Sequence, residues 1–181
     1  FFLFAFIVGI FLMSILLMVQ LNSFYQVYVI VSAVILSTAG VLLGLLVTQQ
    51  ISSSLFTSLG VIALAGIVVN NNIVLVDTYN VITKENPNLS REQIIIRTAA
   101  QRLRPIILTT ATTVIGLLPL ASGIGVDFYQ RNIEVGGRVS EWWQPMSFAV
   151  VCGLSFASAI TLFLTPCWLM LPETIRRTFR N

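Results

Sequence analysis

Three consecutive asparagines, Asn70, Asn71 and Asn72, stand inside an apolar run from Phe56 to Val81, and Asp77 follows seven residues after Asn70. An amide donates and accepts hydrogen bonds, and a carboxyl group takes up and releases a proton. Such a set suits a proton relay or the hydrogen-bonded coupling of helices better than bond-breaking chemistry. At about 100° per residue the triplet points over more than half of a helix circumference. Lipid offers these groups no partner, so the span is expected to be enclosed by protein, at the centre of a helix bundle. Asn70 and Asp77 share a face, and Ala63 and Gly66 leave room for a neighbouring helix to approach closely. The same residues also fit a plainer role, in which the asparagines only fasten helices together.

The elements that position this stretch are membrane spans. Of the 181 residues, 56% are hydrophobic and 9% charged, which excludes a water-soluble globule. The fold expected is all-α: a polytopic bundle of five transmembrane helices plus one cytoplasmic surface helix. The spans read as about 2–19, 27–47, 56–81, 105–121 and 145–171, and the surface helix as 91–103. Gln20 to Ser23 is a tight connection, and Thr48 to Ser54 a short polar turn. The second span carries Gly40 and Gly44 at the four-residue spacing of close helix packing. Asn86-Pro87-Asn88 breaks the third span, and Ser90-Arg-Glu-Gln93 reads as a capping box opening the next helix. In that helix Ile95, Ala99 and Leu103 fall on one side, as in a segment lying on a membrane surface or in a solvated connector with an apolar stripe.

Pro105 opens the fourth span, where its missing N–H costs least. Thr109, Thr110, Thr112 and Thr113 follow, and hydroxyls in such helices usually bond back to a carbonyl one turn earlier. Gly123 to Trp143 reads as a polar loop whose Trp142-Trp143 end suits the headgroup level. It is expected to cap the interface or to contact an adaptor. In the fifth span Ser155, Ser158 and Ala159 are packing positions, and Thr165-Pro166 a kink.

Several chemistries are excluded. There is no His, and Cys152 and Cys167, roughly 22 Å apart along one helix, neither pair nor form a metal-ligand spacing. No metal or cofactor is expected, and no enzyme: a nucleophile elbow is missing, and Asp77 is a deep acid lacking a partner in the chain. A net charge of +3 is too small and dispersed for nucleic acid.

Basic residues set the orientation. Lys84, Arg91, Arg97, Arg102 and Arg104 lie between the third and fourth spans, and Arg176, Arg177 and Arg180 in the tail. Only Arg131 and Arg138 lie on the other side. The positive-inside rule puts the 91–103 helix and the C-terminus in the cytoplasm. The chain opens within a span, so an upstream portion is expected.

Three segments resemble the last helices of the resistance-nodulation-division (RND) efflux permeases, in the drug-exporting branch. They are Gly66 to Asp77, then Arg102-Leu-Arg-Pro-Ile-Ile-Leu-Thr-Thr110 with Gly116-Leu-Leu-Pro119, and Thr161-Leu-Phe-Leu-Thr-Pro166. The resemblance covers essentially the whole chain, in order and spacing. It implies the C-terminal membrane part of a proton-driven multidrug efflux pump (an antiporter) of a Gram-negative inner membrane. Its partners would be the N-terminal half of the same polypeptide with proton-binding aspartates, two further copies in a homotrimer, a periplasmic adaptor and an outer-membrane channel. In such pumps a lysine and a threonine contact the aspartate pair. The threonine corresponds to Thr109; the lysine position is held by Asn70, and the asparagine after it matches Asn71. A lysine offsets the charge of a buried carboxylate, whereas asparagine only makes hydrogen bonds. The alternative is a membrane scaffold or anchor whose polar stripe serves packing alone.

Overall fold

A computed structural model describes residues 2–49, 54–127 and 132–178. Five helices carry the architecture: α1 Phe2–Leu21, α2 Phe24–Thr48, α3 Ser54–Glu85, α4 Arg91–Ala121 and α5 Arg138–Thr178, with strands β1 Ile124–Asp127 and β2 Asn132–Val135 between α4 and α5. All five helices are long and apolar enough to cross a membrane. In hydrocarbon a helix satisfies its own backbone, so these apolar runs have no better conformation. The polar turn expected between the second and third spans falls largely on residues 50–53, outside the described residues, as do Arg131 and Arg180.

The connections follow local chemistry. α1 ends where Asn22 turns to φ 48° and its N–H bonds to the Met18 carbonyl at 3.0 Å. Asparagine tolerates this left-handed geometry better than most residues. Ser90 caps α4, its hydroxyl accepting from the Gln93 N–H at 3.4 Å, as the capping box predicts.

The expected surface helix 91–103 is helical but merges with the fourth span. α4 runs unbroken through Pro105, which is exposed. Its N-terminal arm, the segment expected on the membrane surface, is held by contacts within the protein. It packs Ile94, Ile95 and Ile106 against Leu75, Tyr79 and Ile82 of α3 and Leu169 of α5. Leu103, expected on the apolar side, is exposed. The arm finds its partner because α3, with 32 residues, is about 48 Å long and outruns a hydrocarbon core of about 30 Å.

The polar loop expected over Gly123–Trp143 is instead a hairpin followed by the first turns of α5. β1 and β2 are antiparallel, with Ile124 opposite Val135 and Val126 opposite Ile133. Gly123 (φ 77°) and Gly136 (φ 82°) make the left-handed turns at its base, closed by the Gly136 N–H to Gly123 carbonyl bond at 2.9 Å. Trp142 and Trp143 belong to α5 and flank Phe56, ring centroids 6.3 and 6.0 Å away. Thr165-Pro166, where a kink is expected, lies inside an unbroken helix, for α5 is continuous through Pro145, Pro166 and Pro172.

α3, as expected, lies at the centre of the bundle, packed against α1, α2, α4 and α5, and it shares that place with α5, which packs against α2, α3 and α4. α3 runs parallel to it: Gly60 meets Ala149 and Leu64 meets Gly153 at a constant offset along both chains. α2 runs antiparallel to α5, with Gly40 on Phe156 and Gly44 on Cys152. A Cβ placed on Gly40 would lie 2.5 Å from the Phe156 Cβ, and one on Gly44 2.6 Å from the Cys152 Cβ, so both contacts require glycine. Leu17, Ile30, Val34, Val41, Leu64 and Val68 fill the remaining apolar core. α1 sits at the edge, apolar all round, with Leu17 its one buried residue.

Candidate functional site

The asparagine triplet divides between two surroundings. Asn72 is completely buried, 0% exposed, whereas Asn71 is half-buried and Asn70 exposed. Asn70 belongs to a stripe of α3 made by Gly66, Asn70, Val74, Asp77 and Val81, every one exposed. The spacing of four, four, three and four residues keeps the stripe on one face of the helix. Nothing lies within 4 Å of a Cβ built on Gly66. The expectation that all three amides would be enclosed therefore holds, within this chain, for Asn72 alone. Gly66, expected to be a packing position, meets no helix among the described residues. Asn70, Asn71 and Asp77 show no side-chain hydrogen bond there either. An amide and a carboxyl group on one apolar helix face thus lie open on the side where this bundle supplies no partner.

Asn72 turns the other way, onto α5. Its Nδ2 donates to the Val68 carbonyl at 2.9 Å and to the Thr161 hydroxyl at 3.4 Å, while its Oδ1 accepts from the Thr165 hydroxyl at 3.1 Å. Thr161 and Thr165 are both buried. Full pairing explains how a primary amide sits in a dry interior without the cost of a stranded polar group.

Thr109 on α4 is exposed, and its hydroxyl donates to its own helix, to the Ile106 carbonyl at 3.1 Å. Thr112 and Thr113 likewise bond back to carbonyls of α4, as expected for hydroxyls in lipid. Thr110 differs, meeting the buried Ser158 hydroxyl of α5 at 2.6 Å. Ser158 itself donates to the Leu154 carbonyl at 2.7 Å, which leaves Thr110 as the donor of the pair. Seven residues before Thr109, the half-buried Arg102 donates from Nε to the buried Thr78 hydroxyl of α3. Two turns of one helix thus carry a cation and a hydroxyl on one side.

Sequence reasoning had not singled out Asn72 above its neighbours, nor Thr110, Thr161, Arg102 or Thr78. One signal was available: Ser158, Thr161 and Thr165 recur at three and four residues on α5, the spacing of a single helix face. Two further amides, Gln26 of α2 and Asn80 of α3, form a reciprocal pair at 2.7 and 3.1 Å. Each leaves the other's donor and acceptor satisfied. Among the described residues, no group of three or more His, Cys, Asp or Glu side chains could hold a metal ion.

Comparison with known proteins agrees with this architecture. The AcrB/AcrD/AcrF family profile matches residues 2–172. Multidrug resistance protein MdtC of Citrobacter koseri is 33% identical over 126 residues, covering 70% of this chain and 11% of that protein. Swarming motility protein SwrC of Bacillus subtilis is 35% identical over 127 residues, covering 70% of this chain and 11% of that protein. Among solved structures, the X-ray crystal structure of a heavy metal efflux pump superimposes with a TM-score of 0.73 at 30% identity, over 91% of this chain and 15% of that one. The chain therefore spans a small part of the length of the relatives it matches. The profile match over nearly the whole chain, with these relatives and the shared helical bundle, places the chain in the AcrB/AcrD/AcrF family of RND efflux permeases, in the drug-exporting branch.

Proposed function

We propose that this chain is the C-terminal membrane part of a proton-driven permease exporting drugs or amphiphilic compounds, with Asn70, Asn71, Thr109 and Asp77 on its coupling face. The observation that carries this reading is the open stripe of α3. Asn72, Thr110, Gln26 and Asn80 find partners inside the bundle, whereas Asn70 and Asp77 are left facing outward. A polar group at such depth needs a partner, and the N-terminal half of the polypeptide is the natural source. The family pattern puts proton-binding aspartates there. Because Asn70 carries no charge, the pKa values of those aspartates would depend on burial and hydrogen bonding instead of a fixed ion pair.

Assembly follows the same reading: a homotrimer in an inner membrane, with its C-terminus in the cytoplasm, working with a periplasmic adaptor and an outer-membrane channel. The Gram-negative envelope is part of the proposal, since a relative from Bacillus subtilis is also among the matches. Pure packing is what Asn72 does, and it leaves the outward direction of Asn70 without a purpose. The test is export rate against external pH in the full-length permease, normalised to folded protein. Asn70→Leu should weaken proton-coupled export at near-normal expression, and Asn70→Lys should displace the pH profile. Unchanged profiles for both variants would refute the coupling role.

A further inference from the structure

α3, which carries the open polar stripe, and α4 are tied to α5 at one level. Asn72 of α3 is held by Thr161 and Thr165, and Thr110 of α4 by Ser158. These three α5 side chains lie within two turns, about 10 Å along the helix. Each tie sits one or two residues from an exposed polar position of its own helix: Asn72 from Asn70, Thr110 from Thr109.

The rest of the α3–α5 seam is apolar and close. Gly60 lies against Met146 and Ala149, and Leu64 against Gly153. Such contacts set the distance between the helices. They also limit rotation where the glycines sit, since a Cβ on Gly60 would come 2.9 Å from the Met146 carbonyl oxygen, but away from them apolar faces in a bilayer have no water to avoid and lipid serves them as well as protein does. A hydrogen bond is directional. Asn72 lies about 12 residues, roughly 18 Å, deeper than Gly60. It is the one α3 side chain at its level with both amide atoms engaged by α5.

We infer that Asn72 is a positioning residue: its bonds to Thr161 and Thr165 fix the rotation of α3 about its own axis and so decide which way Asn70 faces. Two positions along a helix are about 200° apart. With Asn72 turned into α5, Asn70 turns outward. Asn71 carries the same amide only about 100° away, so it is the nearest substitute when Asn72 is lost. If Asn71 takes over the bonds to α5, α3 turns and carries Asn70 and Asp77 off the open face. The value of this for export rests on the coupling reading above, but the rotation itself does not.

The experiment uses the full-length permease, spin-labelled at Val81→Cys on the open stripe of α3 and Phe163→Cys on α5, with other reactive cysteines removed. Both positions are exposed, at 44% and 76%. Electron–electron resonance distances between them report the rotation of α3 against α5. Asn72→Ala should shift or broaden the distance distribution by several ångströms, on the scale of a helix about 10 Å across turning by about 100°. Thr165→Val, which removes one bond at constant shape, should shift it less. The exchange Asn72→Thr with Thr165→Asn restores an amide–hydroxyl bridge and should return the distribution toward that of the parent.

The same variants are read for export against pH. That profile reports Asn70 in the company of Asp77 on its own stripe and Arg102 on α4, since α5 carries no formal charge between Ser147 and Met170. A distance unchanged in both Asn72→Ala and Thr165→Val overturns the inference. So does a shift that the exchange fails to reverse. A reversible shift alongside an unaltered pH profile in Asn70→Leu supports the positioning role and rejects the coupling reading, which separates the two.

Discussion

Replacing Gly40 by alanine tests how tightly α2 is seated on α5. The added Cβ would fall 2.5, 2.6 and 2.7 Å from the Cβ, Cδ1 and Cγ of Phe156. Carbon atoms rest at about 3.5–4.0 Å, so the deficit is roughly 1 Å or more. The Phe156 ring can swing away, but its Cβ is fixed to the backbone of α5, and relief requires the two helices to part. Parting them loosens the next contacts along the seam, Gly44 on Cys152 and Val41 beside Gly153. Overpacking of this kind costs about 1–3 kcal/mol. Alanine also improves helix propensity by about 0.8–1.0 kcal/mol, which opposes the loss. Gly9→Ala isolates that gain, since nothing lies within 4 Å of its Cβ position. Thermal unfolding of the purified full-length permease should therefore place Gly40→Ala below Gly9→Ala by about 1–3 kcal/mol. In a Phe156→Gly background, where the obstructing atoms are gone, Gly40→Ala should no longer carry the part of its cost that is due to the clash. Equal stability of the two alanine variants would refute the close approach of α2 to α5.

Asn72→Ala and Thr165→Val should be coupled in a double-mutant cycle by about 0.6 kcal/mol and at most about 1.7 kcal/mol, the range for hydrogen bonds between membrane helices. Asn70→Ala combined with Thr165→Val should be additive to within about 0.5 kcal/mol; the reverse ranking would contradict the burial of Asn72. Arg91→Cys should resist an impermeant thiol reagent applied to intact cells and react in inside-out vesicles. Ready labelling from outside would invert the proposed orientation of all five helices.

The sequence by itself determined the fold class and most of the element plan. Long apolar runs admit one backbone solution in lipid, so the five spans could be counted from hydropathy and their breaks from Asn86-Pro87-Asn88 and Ser90. The hairpin was also written there, as the alternation of Ile124, Val126, Ile133 and Val135, but four-residue strands give a weak signal beside spans of twenty. Family membership was legible because its motifs keep their order and spacing through the chain.

Only tertiary structure decided which polar residue does what. Helical period makes Asn70, Asn71 and Asn72 chemically identical points on a circle, and no rule within the helix says which arc meets protein. That choice depends on where Thr161 and Thr165 fall on α5, some ninety residues away, and on how glycines bring the helices together. The helix taken as central is packed by the four others and still presents an open stripe, and the last helix shares the centre with it, because burial belongs to pairs of elements rather than to either one. For the same reason the arm of α4 finds its partners on α3 and α5: its isoleucines need only an apolar neighbour, and the overlong α3 puts one within reach.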